Sequence, residues 1–171
     1  MISIKLNRKN PGGLKGFSKR LEALAGKEVA VGFPRGGSGL GNPHYKNGAS
    51  ILLVAVANNY GLGVPRRAFM ELAAEKIRKW FPKYMRTAMP DAEAGNTDIH
   101  DVLETAGSVG ADLVKEAIAD GDWEPNAPET IKRKKGSDKP LIDTDAMRQA
   151  ARGLAQDRAA ALLADAVEGL R

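Results

Sequence analysis

Apolar residues recur along this chain at two spacings, and the switches between them mark out its elements. Ile2, Ile4 and Leu6 alternate with polar neighbours, the period of a strand, and Asn10-Pro11-Gly12-Gly13 ends it. Phe17, Leu21 and Leu24 then share one side of a short helix that stops at Gly26. Lys27 to Phe33 returns to period two with Val29 and Val31 on one face, which predicts a second strand. From residue 34 to 49 glycine, proline, asparagine and charge dominate; too few apolar side chains remain to fix a conformation, and a mobile loop is expected.

Helical spacing governs most of the rest. Ser50 to Tyr60 reads as a helix, with Ser50 placed to cap its first amides and Gly61 to end it in the left-handed conformation. The run Ile51-Leu52-Leu53-Val54 also fits a buried strand, and the flanking caps favour the helix. Val64-Pro65 forces extended backbone. Phe69, Leu72, Ala73, Ile77, Trp80, Phe81, Tyr84, Met85 and Ala88 follow a 3.6-residue period, with Pro82 expected to kink or split that helix and Pro90 to end it. Residues 91 to 96 read as a linker, and a second long helix carries apolar positions from Ile99 to Ile118. Residues 120 to 143 have few apolar anchors and read as an extended arm or loop, after which alanine-rich sequence resumes helical spacing over 144–170. The pattern predicts one domain of α/β (α+β) class: a small, mostly antiparallel sheet packed with two or three long helices, long polar loops and a helical C-terminus.

Composition narrows the chemistry. A chain of 171 residues is one ordinary domain, large enough to bury roughly two-thirds of its unfolded surface. Only 5% of it is aromatic, which argues against a large aromatic ligand cage. With no cysteine there are no disulfides and no thiolate metal ligands. No stretch approaches the ~20 apolar residues of a membrane span, and the N-terminus lacks the apolar core of a signal peptide, so synthesis in the cytosol is expected. The net charge of +5 favours acidic partners, and its excess sits at residues 5–20 and at Lys132-Arg133-Lys134-Lys135.

Candidate chemistry is sparse. The glycines of residues 36–41 lack the Lys-Ser/Thr pair of a phosphate loop and are followed by Asn42-Pro43-His44. His44 and His100 have no partner at a recognised metal spacing, and Asp98 and Asp101 suit a helix start, where carboxylates meet the positive dipole end. Asp143 and Asp145 flank Thr144 and could suggest a divalent ion, but an N-cap for the last helix explains Asp143 or Thr144 more simply. There is no Gly-x-Ser-x-Gly elbow. The expectation is a non-enzyme with no cofactor and no metal. The basic run at 132–135 lacks interleaved aromatics, so any nucleic-acid contact there is phosphate-directed and salt-sensitive.

Four ordered segments carry a resemblance. Val29-Ala30-Val31-Gly32-Phe33-Pro34, the stretch from Ala55 to Asn58-Asn59-Tyr60-Gly61, Val64-Pro65-Arg66-Arg67-Ala68-Phe69, and Gly121-Asp122-Trp123 through Lys135 with Lys139-Pro140-Leu141-Ile142-Asp143-Thr144 are together similar to tail-completion and neck proteins of tailed bacteriophages, also called virion-morphogenesis or minor tail proteins. The chain departs from that family's pattern in having Ala68 where a proline is usual and Asp145 where a glycine is usual. The family also commonly continues from that glycine into a β-strand. The resemblance implies a structural virion protein that forms a ring, a hexamer by expectation, at the neck or the head-proximal end of the tail. Its partners would be copies of itself and neighbouring neck, tail-terminator or tail-tube proteins, with non-specific contact to phage DNA, in the host cytoplasm during assembly and then in the virion. Arg66, Arg67, Lys132, Arg133, Lys134 and Lys135 are the candidate interaction residues. The alternative reading is a small basic DNA-binding protein that uses the 132–135 loop.

Overall fold

Two long helices form the body of the protein, and a two-stranded antiparallel sheet packs against one of them. The computed structural model describes residues 22, 24–33, 43–134, 138–142 and 145–157. The strand expected at 2–6, most of the 34–49 loop with its glycine run, Lys135, Asp143, Thr144 and everything past 157 lie outside those residues.

Strand β1 (Lys27–Gly32) begins after Gly26, whose φ of 84° closes the helical turn that holds Glu22 and Leu24. Helix α1 (Ile51–Tyr60) forms as its caps predict: Ser50 Oγ accepts from the Leu53 N–H at 3.4 Å, and Gly61 turns left-handed at φ 74°. Helix α2 (Phe69–Ala94) is 26 residues long and passes through both prolines. It is not split at Pro82, and Pro90 does not end it; Gly95, at φ 79°, does. Each proline removes one helical hydrogen bond, at a cost of roughly 3 kcal/mol in a helix interior. Both prolines are exposed, as are Arg78 and Arg86, whose carbonyls lose the bond. The opposite side is anchored, with Phe69 and Ala73 fully buried and Tyr84 Oη donating to the Val102 carbonyl at 2.9 Å. The linker expected at 91–96 is therefore mostly the last turn of α2.

Helix α3 (Ile99–Asp120) starts at Asp98, whose carboxylate accepts from the His100 N–H at 2.7 Å. Its apolar stripe is buried from Val102 to Ile118. A short helix, α4 (Pro128–Arg133), interrupts the segment expected to be an arm, and Trp123 and Asn126 hold the start of that segment against the body. Five-residue helix α5 (Ala146–Ala150) comes next, and Ala151 turns the chain into β2 (Arg152–Asp157). The helix expected over 144–170 is thus corrected over 152–157, where the chain is strand; 146–150 is helical, and the rest lies outside the described residues. Pairing overrides alanine propensity here, because β2 lies antiparallel to β1 with Val31 opposite Gly153 and Lys27 opposite Asp157.

Glycines set how closely sheet and helix approach. A Cβ added to Gly153 would lie 1.8 Å from the carbonyl oxygen of Gly107 in α3, and one added to Gly110 would lie 2.8 Å from Val31 Cγ2. Backbone meets backbone at Gly153, and the Val31 side chain rests on the helix at Gly110; a side chain at either glycine would prevent the approach. The core closes at the other end of α3, where Val114 and Ile118 pack with Ile51 and Ala55 of α1, Phe69 of α2 and Met147 of α5. Phe33, just past β1, meets Phe69 edge-on with ring centroids 6.2 Å apart. The fold is α+β, with two long helices and an antiparallel sheet. No helix among the described residues is long and apolar enough to cross a membrane.

Candidate functional site

Arg67 occupies the turn between α1 and α2 and is only 5% exposed. Its guanidinium joins two other stretches of chain, Asn58 in α1 and residues 124–126. Nη1 donates to Asn58 Oδ1 at 2.9 Å, Nε and Nη2 donate to the Glu124 carbonyl at 3.2 and 3.1 Å, and Nη2 also reaches Asn126 Oδ1 at 3.3 Å. Asn126 passes the link on by donating to the Asp138 carbonyl at 3.1 Å. Burial pulls the guanidinium's pKa below its ordinary value, and the Glu124 carboxylate partly offsets this. Arginine stays charged under such a shift, so the neutral oxygens around it must replace its hydration. Asn59, next to Asn58, supplies the cap that Ala68 lacks: its Oδ1 accepts from the Met70 N–H at 3.1 Å. The expectation that Arg67 reaches an outside partner is corrected, because the side chain is buried and four of its five N–H donors bond within the chain.

The other candidate cations divide. Arg66 is exposed and pairs with Glu71 one turn into α2. Lys132 and Arg133 are exposed in the last turn of α4, where cations suit the negative dipole end. Lys134 turns inward, donating to the carbonyls of Lys139 at 3.0 Å and Ile142 at 2.8 Å. It ties the end of α4 to Lys139 and Ile142, so among the described cations of the basic run Lys134 is engaged while Lys132 and Arg133 are exposed.

Asp98 caps the backbone of α3, whereas Asp145 bonds side chains. Asp145 stands at φ 62° and grips Arg148 through two hydrogen bonds of 2.6 and 2.8 Å. Arg148 holds the Asp145 carboxyl below its usual pKa, and Asp145 raises that of Arg148. His100 faces Glu104 at 3.4 Å on the exposed side of α3. Among the described residues no three His, Asp or Glu side chains gather as metal ligands.

What the spacing of residues did not reveal is an exposed apolar surface. Helix α1 carries no charge, and its buried face is Ile51, Ala55 and Asn59. On the outside Leu53 and Tyr60 are each 65% exposed, Val56 stands between them, and Leu62 and Val64 extend the surface past the helix. Beside it a groove of about 260 Å³ runs between α1, the end of β1 and the start of α2, lined by Val31, Phe33, Leu52, Tyr60 and Met70 among others. A helix apolar on both sides is ordinarily covered on both. The signal was present in its uncharged sequence, but a short apolar run does not announce which face the fold leaves open.

Comparison of the chain with protein-family models, with curated proteins and with solved structures gave no match.

Proposed function

We propose that this chain is a structural subunit of a tailed-phage virion, acting in head-tail joining or tail completion by forming a ring, a hexamer by expectation, with copies of itself. The observation that carries the assembly part is the uncharged outer face of α1, continuous with the apolar groove beside it. Exposed apolar surface of this kind marks a contact that the isolated subunit leaves unmade. The four-segment resemblance supplies the setting.

Three features of the fold support that resemblance. Three of the four segments meet at Arg67, which bonds Asn58, Glu124 and Asn126, so these three form one structural unit rather than separate coincidences. Asp145, where the family usually has glycine, adopts the left-handed backbone that glycine favours, and a strand follows after the five residues of α5. Ala68, where proline is usual, has a φ of −76°, within the range a proline ring imposes.

The test is an amber mutation in this gene in the phage that carries it, with the lysate viewed by electron microscopy. Unjoined heads and tails, or aberrant tails, are the expected products. Normal, joined, infectious particles made without the protein would defeat the reading.

A further inference from the structure

Between Glu75 and Asp91 helix α2 carries five cations and no carboxylate: Lys76, Arg78, Lys79, Lys83 and Arg86. Lys76 is engaged, pairing with Glu116 of α3 at 2.6 Å. The other four are exposed, and none forms an ion pair with a described residue. At 100° per residue they fall with Pro82 on an arc of about 140°, opposite the side that packs on α3, and they span about 12 Å of helix. We propose that this face of α2 is a docking surface for the phosphate backbone of duplex nucleic acid.

The composition of the face selects the partner. A protein interface centres on desolvated apolar or aromatic anchors with charge at its rim. Here charge is central, and the nearby aromatics are committed elsewhere: Trp80 and Tyr84 stack on each other at 4.8 Å, and Tyr84 bonds α3. With those rings occupied, bases have little to stack on, which disfavours single strands. Phe81, 37% exposed on the flank, is too little apolar surface to enter a bilayer. A duplex presents one phosphate charge per ~1.7 Å of axis, so four cations over this length meet a dense row of anions without reading sequence. The surface is separate from α1 and from the 132–135 run, and the inference stands whether or not the assembly reading does.

Fluorescence anisotropy of a labelled duplex, titrated with the full chain from about 50 to 200 mM salt, tests it. Four phosphate contacts give a log-log salt slope of about −3.6. The Arg78→Gln/Lys79→Gln/Lys83→Gln/Arg86→Gln variant should bind at least ~10-fold more weakly at low salt, with a slope near zero. The milder Lys79→Gln/Lys83→Gln variant, with its thermal unfolding checked against the parent, should show about half the parent slope. Lys132→Gln/Arg133→Gln should keep the parent slope. The proposal is overturned if the parent does not bind duplex at low salt, or if the α2 variants bind as the parent does. It is equally overturned if single strands, polyglutamate or anionic vesicles bind more tightly than the duplex.

Discussion

Arg66 and Arg67 are neighbours in sequence with opposite fates, and the difference lies in what each guanidinium touches. Arg66 shares an exposed ion pair with Glu71, the kind of contact worth about 0–1 kcal/mol. Arg67 fills the hydrogen-bonding needs of Asn58, Glu124 and Asn126 at once, and its removal strands three buried or half-buried acceptors. Arg67→Ala is therefore expected to destabilise the fold by about 2–4 kcal/mol, and Arg66→Ala by less than about 1. Arg67→Lys should recover little, since a point-like ammonium cannot span acceptors arranged around a planar fork. Urea midpoints of the three variants check this; coincident midpoints for the two alanine variants would remove Arg67 from its structural role. Nothing in an Arg-Arg doublet says which side chain turns inward. The nearby pair Asn58-Asn59 is the visible hint, because amides are costly in a helix unless they bond something.

At the scale of elements, legibility followed how local the cause was. Helices α1 and α3 were readable because Ser50, Gly61 and Asp98 sit at their ends and act within four residues. Strand β2 was not, because alanine, leucine and glutamine there favour a helix and the strand exists by pairing with β1 from the far end of the chain. Likewise the prolines of α2 are local breakers overruled by packing on α3, which the local sequence does not display. The turn into α2 offers a test of local cause. Ala68 has φ −76° and ψ 53°, and the Phe69 N–H bonds the Arg67 carbonyl at 2.8 Å around it, the geometry of an inverse γ-turn. Its own N–H donates to no backbone acceptor among the described residues outside the regular helices and strands. Ala68→Pro should thus fit without strain and stabilise by about 0.4–1 kcal/mol by restricting the unfolded chain. A rise of roughly 1–4 °C in melting temperature is expected, and a fall would mean that the turn needs the amide or a different φ.

For the whole molecule, the question is what an uncovered helix does to a subunit's state in solution. The core is shared among α1, α2, α3 and α5, and α1 contributes to it with Ile51 and Ala55 alone among its apolar side chains that are fully buried. Leu53 and Tyr60 remain open to water at 65% each, so they add little to the monomer's own stability. If that face is the contact between copies, Leu53→Ser/Tyr60→Ser separates association from folding. Association should be lost, because the double change removes the largest exposed apolar side chains of α1 and leaves polar ones to be desolvated. Thermal stability of the dilute subunit should change by less than about 0.5 kcal/mol, as for other exposed substitutions. Sedimentation equilibrium at tens of micromolar protein, paired with dilute thermal unfolding, reads the two quantities independently. A parent chain that sediments as a monomer, or a double variant that associates as the parent does, would take the α1 face out of the assembly. A variant that loses both association and stability would mean that these side chains act within the subunit.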